Sequence, residues 1–142
     1  PNVDAEFPGT GAAGGLGFAF QTFLSASLEP GIQIVLDETR LRDDVKDADL
    51  VITGEGRLDG QTVMGKAPIG VAKLAKQFGK PVIGLSGCVA RDASACNDAG
   101  IDAFFPILRS VISLEEAMRS ETASENMKDT AEQVFRLLQI RL

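Results

Sequence analysis

Apolar residues recur along this chain at two spacings, and the alternation between them predicts its elements. Short apolar runs bounded by turn formers or charged residues occur at Ile32–Leu36, Asp49–Thr53, Pro81–Leu85 and Asp102–Ile107. Each reads as a strand, with Pro106 marking an end or an edge. Over Lys66–Phe78 the spacing becomes helical: Ala67, Val71, Leu74, Ala75 and Phe78 share one face, while Lys73, Lys76 and Gln77 share the other. Pro68 falls in the first turn and Gly79 closes the helix. Asp37–Lys46 and Arg91–Ala99 read as short helices, the second stopped by Gly100. Ser113-Leu-Glu-Glu116 forms a capping box that opens the carboxyl-terminal helical region. Met127, Ala131, Val134 and Leu138 then form an apolar stripe. At the other end, Phe7–Gly17 reads as a glycine-rich loop entering a helix that continues through Leu24 to about Leu28 and is ended by Pro30-Gly31.

Strands alternating with helices predict an α/β fold. The expected form is a parallel sheet with helices on both faces, a Rossmann-like or flavodoxin-like three-layer arrangement. Right-handed crossovers bring the loops after Leu36, Thr53 and Leu85 to one edge. A length of 142 residues suits a single α/β domain over residues 1–142.

Composition narrows the function. The net charge is −6, and the 14 basic residues are scattered, which disfavours nucleic acid as a partner. No apolar run is long enough to span a membrane, and Pro1-Asn2-Val3-Asp4 lacks the features of a signal peptide. The chain contains no histidine, so a general base must be a carboxylate, a lysine or a cysteine. Cys88 and Cys96 lack the spacing and the His partners of a zinc site and read as small residues in a reducing compartment. The chain starts without Met on a glycine-rich loop that no strand precedes, as expected of a piece of a longer protein.

The candidate chemistry concentrates after the Asp49–Thr53 strand, in Gly54-Glu-Gly-Arg-Leu-Asp59. This reads as a turn at the carboxyl end of a parallel strand, where open α/β sheets bind ligands. Glu55 and Asp59 can ligate Mg²⁺, and Arg57 matches carboxylate or phosphate in two-pronged fashion. The alternative for this trio is an ordinary surface ion-pair turn. Gly9-Thr-Gly-Ala-Ala-Gly14 fits G-x-G-x-x-G but lacks the strand that a dinucleotide fingerprint requires. Backbone N–H groups of Gly11, Ala12, Ala13, Gly14 and Gly15 at a helix start suit an anion; the bland reading is close helix packing. Gly60–Ala67 nearly matches a P-loop, but Ala67 replaces the hydroxyl that would hold Mg²⁺. Lys66 is either a phosphate-neutralising group or a solvent-facing lysine. Ser86 either touches substrate or caps the next helix.

Several motifs in order carry a resemblance. Thr53-Gly-Glu-Gly-Arg-Leu-Asp59, Gly65-Lys-Ala-Pro-Ile-Gly-Val-Ala72, Pro8–Gly17, Lys80-Pro-Val-Ile-Gly-Leu-Ser-Gly87 and Ala99-Gly-Ile-Asp-Ala103 together resemble the type I glycerate kinase family over nearly the whole chain. The resemblance implies the carboxyl-terminal portion of a longer two-domain kinase, whose amino-terminal portion carries further catalytic groups. It implies phosphorylation of D-glycerate by ATP with Mg²⁺, at the 2-hydroxyl, giving 2-phosphoglycerate and ADP. A cytoplasmic setting also follows from it, and a homodimer is left open. Within it, Glu55, Arg57 and Asp59 are the expected catalytic residues and Glu55 and Asp59 the metal ligands. Gly11–Gly15, Lys66 and Ser86 are the expected substrate- or phosphate-binding residues. The reading from a different class is a non-catalytic nucleotide- or anion-binding α/β module of a larger protein.

Overall fold

The computed structural model describes residues 4–140. The chain divides into two compact units, Pro1–Thr39 and Arg40–Leu142, where the sequence reads as one domain. The first unit carries two helices, α1 (Ala12–Leu24) and α2 (Gly31–Glu38). The second carries α3 (Leu41–Asp47), β1 (Val51–Leu58), α4 (Ala67–Gln77), β2 (Val82–Val89), α5 (Ala95–Asp98), β3 (Ala103–Pro106), α6 (Leu114–Ala117) and α7 (Ser120–Leu138).

In the second unit the three strands form one parallel sheet in the order β1-β2-β3. Val51 pairs with Val82 and Glu55 with Ser86; Ile83 pairs with Ala103 and Ser86 with Pro106. β2 lies in the middle, and Val82, Ile83, Leu85 and Ser86 are all buried. Burial of successive residues means both faces are covered, as a parallel strand requires. Helix α4 packs against β1 and β2 through a buried stripe of Ile69, Ala72 and Ala75. Elsewhere Val134 of α7 packs with Ile83, Leu85 and Ile107, and Ala131 joins at the margin. The α/β class, its parallel sheet and surrounding helices follow the sequence pattern.

Asp102 staples this core. Its Oδ2 accepts the Val82 N–H at 2.6 Å and the Lys76 ammonium, tying the start of β2 to the end of α4. The Lys76 hydrogen bond, with help from the Val82 N–H, holds the Asp102 carboxyl below the usual carboxylate range.

Several boundaries differ from those read in the sequence. Ile32–Leu36 is not a strand but the middle of α2. Pro30, rather than ending a helix, starts one: its carbonyl accepts the Gln33 N–H at 2.9 Å. Gln33 Nε2 then donates to Asp37 Oδ1 across one turn, the i, i+4 pairing that a helix brings together. Asp37–Lys46 is consequently not one helix, because α2 ends and α3 begins within it, with Arg40 in a left-handed conformation between them. The first helix stops at Leu24, short of Leu28, on a left-handed Ser25. Arg91–Ala99 is a 3-10 turn followed by the single turn of α5. Half of the capping box forms: Ser113 Oγ accepts the Glu116 N–H at 3.1 Å, while the Glu116 carboxylate accepts from Arg119 and Thr122. On α7 Val134 is buried, whereas Leu138 stays about half exposed.

Candidate active site

β1 runs through Leu58, so Glu55 and Arg57 stand on the strand and not in a turn after it. Likewise Ser86 and Gly87 lie inside β2, which continues to Val89. The extension has a physical cause in Ser86. Its buried Oγ accepts the Leu58 N–H at 3.0 Å and donates to the Cys88 carbonyl at 2.7 Å. That hydroxyl joins the strand ends, and both of its main hydrogen-bonding capacities are engaged.

Beyond the carboxyl end of β1 the chain turns back through a 3-10 segment, Thr62–Met64, into α4. Here the structure adds Thr62 to the predicted trio. Thr62 is fully buried, and its Oγ1 donates to Glu55 Oε1 at 2.5 Å. The same oxygen accepts the Asp59 N–H at 3.2 Å and lies 3.4 Å from Asp59 Oδ1. One hydroxyl therefore ties the Glu55 carboxylate to the backbone of Asp59, which fixes the two acidic residues of the predicted trio relative to each other. The available sequence signal is Asp59-x-x-Thr62, the spacing at which side chains meet backbone N–H groups in tight turns.

Cations close on Asp59 from two sides. Lys66 Nζ lies 3.5 Å from Oδ1, and Arg57 Nε lies 3.7 Å from Oδ2. Lys66 holds its place as the extended residue just before α4. Partial burial pushes the Asp59 carboxyl up, but the Lys66 charge and the N–H groups of Gln61 and Thr62 outweigh it, holding the carboxyl below its ordinary range. Asp59 is thus an anion near neutral pH. Arg57 is mostly exposed at 65%, which leaves its guanidinium accessible to a ligand.

Beneath this group lies Cys96, whose Sγ is 3.8 Å from the Asp59 carbonyl. Burial pushes its thiol up, and the negative charges of Glu55, Asp59 and Asp92 push it further. A thiol so held stays protonated and is no nucleophile. No group of three or more His, Cys, Asp or Glu arranged to hold a metal ion is found among the described residues.

Glu55 also borders a cavity of about 660 Å³ between the sheet and the α6–α7 region. Gly54 and Gly56 of β1, Leu85 and Gly87 of β2, and Leu114, Met118 and Met127 line it.

The predicted glycine-rich residues lie in the first unit. Gly11 precedes α1 without a side-chain cap, and Ala12 opens the helix. Ala13, Gly14 and Gly15 have φ of 51°, 68° and 96°, so the helix is broken by a left-handed turn where a plain helix start was expected. Ala13 is the notable member, since left-handed backbone costs an L-residue roughly 1–2 kcal/mol. Gly11 and Gly15 border a small cavity with Ala5, Thr10 and Phe18.

The mixed-charge cluster stands at the carboxyl end of a parallel strand, the edge at which open α/β sheets bind ligands. Residues 2–139 match the sequence profile of the Glycerate kinase family, and the chain belongs to that family. It is 51% identical over 130 residues to the glycerate kinase of Haemophilus influenzae, covering 92% of this chain and 34% of the relative. It is 49% identical over 114 residues to the glycerate 2-kinase of Escherichia coli, covering 80% of this chain and 30% of the relative. A crystal structure described as glycerate kinase 2 from Salmonella typhimurium LT2 superposes with a TM-score of 0.71 at 46% identity, over 92% of this chain and 33% of that one. The chain thus spans about a third of the length of these relatives. Among the described residues, no helix is long and apolar enough to cross a membrane.

Proposed function

We propose that the complete protein transfers the γ-phosphoryl group of ATP to the 2-hydroxyl of D-glycerate, releasing 2-phosphoglycerate and ADP. The supporting observation is the Glu55–Thr62–Asp59 cluster, with Lys66 and Arg57 closing on Asp59, in a chain of the glycerate kinase family. Phosphoryl transfer asks for alignment and charge neutralisation more than for covalent chemistry by the protein. This cluster offers both.

Mg²⁺ is commonly held by one or two carboxylates together with substrate phosphates. Glu55 and Asp59, fixed by one shared hydroxyl, fit that donor set and would hold the ion, which supplies charge neutralisation at the phosphates. Lys66 offsets charge on the transferring group, and exposed Arg57 grips the glycerate carboxylate or a phosphate. Ser86 positions the site by fixing where β1 ends, and the Gly11–Gly15 turn of the first unit offers backbone N–H groups to an anion.

The test is glycerate-dependent ADP release by the complete protein and its Asp59→Asn variant. Loss of one electrostatic contact to the transition state typically costs about 10²–10³ in rate, and the variant is expected to lose at least that much in kcat. Unaltered kinetics would remove Asp59 from the site. Absence of glycerate-dependent turnover in the parent protein would favour a non-catalytic binding module.

A further inference from the structure

We infer that the 660 Å³ cavity between the sheet and α6–α7 takes the nucleoside base of the phosphoryl donor. This deepens the kinase reading above and rests on it for the identity of the donor.

One glycine of β1 is not explained by the fold. A methyl added at Gly54 would collide with the Leu85 carbonyl, and one at Gly87 would come within 2.5 Å of the Gly56 carbonyl oxygen. Close strand approach therefore accounts for both. Gly56 is different. A methyl there meets no heavy atom within 4 Å, and Gly56 is absent from the positive-φ glycines. Glycine weakens a strand interior, so its place in the middle of β1 calls for something approaching from outside. Gly56 lines the cavity.

The cavity's size and walls narrow the occupant. Its volume lies within the roughly 300–1,000 Å³ of small-molecule sites. Gly54, Gly56 and Gly87 leave one wall flat and without side chains, suited to a planar ring. Met118, 75% exposed, and Met127 offer polarizable thioethers that adapt to an aromatic face. Asn126 adds a carboxamide, a donor and acceptor for the polar edge of a heterocycle.

Charge separates this ligand from the acceptor. Among the described residues that line it there is no Lys or Arg, and Glu55 is the one acidic residue. A glycerate carboxylate would find no cationic partner inside, whereas a neutral base needs none. Glu55 borders the cavity from within β1, while its carboxylate, bonded to Thr62, stands on the opposite face of the strand from Gly54 and Gly56. Phosphates attached to a base in the cavity would pass over the carboxyl end of β1 to reach Lys66 and Arg57.

The experiment uses the complete protein and its Gly56→Ala and Asn126→Ala variants. Calorimetry measures ADP and inorganic tripolyphosphate binding, scanning calorimetry measures unfolding, and steady-state kinetics gives the KM for glycerate. Gly56→Ala is expected to keep the parent unfolding temperature and tripolyphosphate affinity while weakening ADP by about tenfold or more. The KM for glycerate is expected to stay within about twofold, roughly 0.4 kcal/mol. Asn126→Ala is expected to weaken ADP in the same selective way. A raised KM for glycerate with ADP affinity intact would assign the cavity to the acceptor and overturn the inference. A lowered unfolding temperature with all affinities intact would mean that polypeptide fills the cavity, and would overturn it equally. Selective loss of ADP binding in a parent without glycerate turnover would sink the kinase reading and leave the base site standing.

Discussion

Replacing Thr62 by Val tests whether one hydroxyl organises the acidic cluster. Valine keeps the shape of threonine and puts a methyl group where the hydroxyl stood. Two interactions disappear: the hydrogen bond to the Glu55 carboxylate and the one accepted from the Asp59 N–H. A hydrogen bond to a charged acceptor contributes about 1.5–3 kcal/mol, and an N–H left unpaired in a partly buried position adds about 1 kcal/mol. The expected loss for Thr62→Val is thus about 2.5–4 kcal/mol. Thr62→Ser is the control. It keeps the oxygen and deletes one fully buried methyl, at about 1 kcal/mol. Urea unfolding of the complete protein, followed by fluorescence of a reporter and by circular dichroism, measures both. The order should be parent, then serine, then valine. A valine variant as stable as the serine one would refute the bridging role of Thr62.

Two further outcomes follow from contacts elsewhere in the sheet. Ser86→Ala should cost about 1–3 kcal/mol of stability, because the buried Leu58 N–H loses its acceptor; an unchanged unfolding midpoint would show that β1 needs no such tie. Asp102 has a carboxyl held low in the folded state, so its contribution is complete above the unfolded carboxylate range near pH 4 and is lost as pH falls through the lower folded value. Asp102→Asn should accordingly flatten the acid limb of a melting-temperature profile below about pH 4, and a limb as steep as the parent's would remove Asp102 as its source.

Legibility in the sequence followed the range of the governing forces. Helix α4 was readable because its apolar stripe, its early proline and its closing glycine are all local signals. The middle of β2 was readable because burial on both faces leaves a continuous apolar run. The far halves of β1 and β2 were not. Gly54, Gly56 and Gly87 look like turn residues, and only the pairing of the two strands, with Ser86 joining their ends, makes them extended. Ile32–Leu36 alternates like a strand, yet it has Pro30 before it and a Gln33–Asp37 pair within it, and those decide for a helix. At the site, the charges of Glu55, Arg57, Asp59 and Lys66 were evident as candidates. Thr62 was not, since a hydroxyl gains its meaning from which carboxylates fold back over it.

The register of the sheet bears on how the polypeptide is made. Val51 must wait for Val82, and the whole of α4 is synthesised between them. Glu55, Asp59, Thr62 and Lys66 leave the ribosome almost together, but the strand that carries Glu55 has no partner until β2 follows. Assembly of the charged cluster is therefore gated by a later, sequence-distant event, the kind of long-range pairing that slows folding. During translation β1 is an unpaired edge until β2 has cleared the ribosome, so a pause that favours their pairing falls well downstream of Val89.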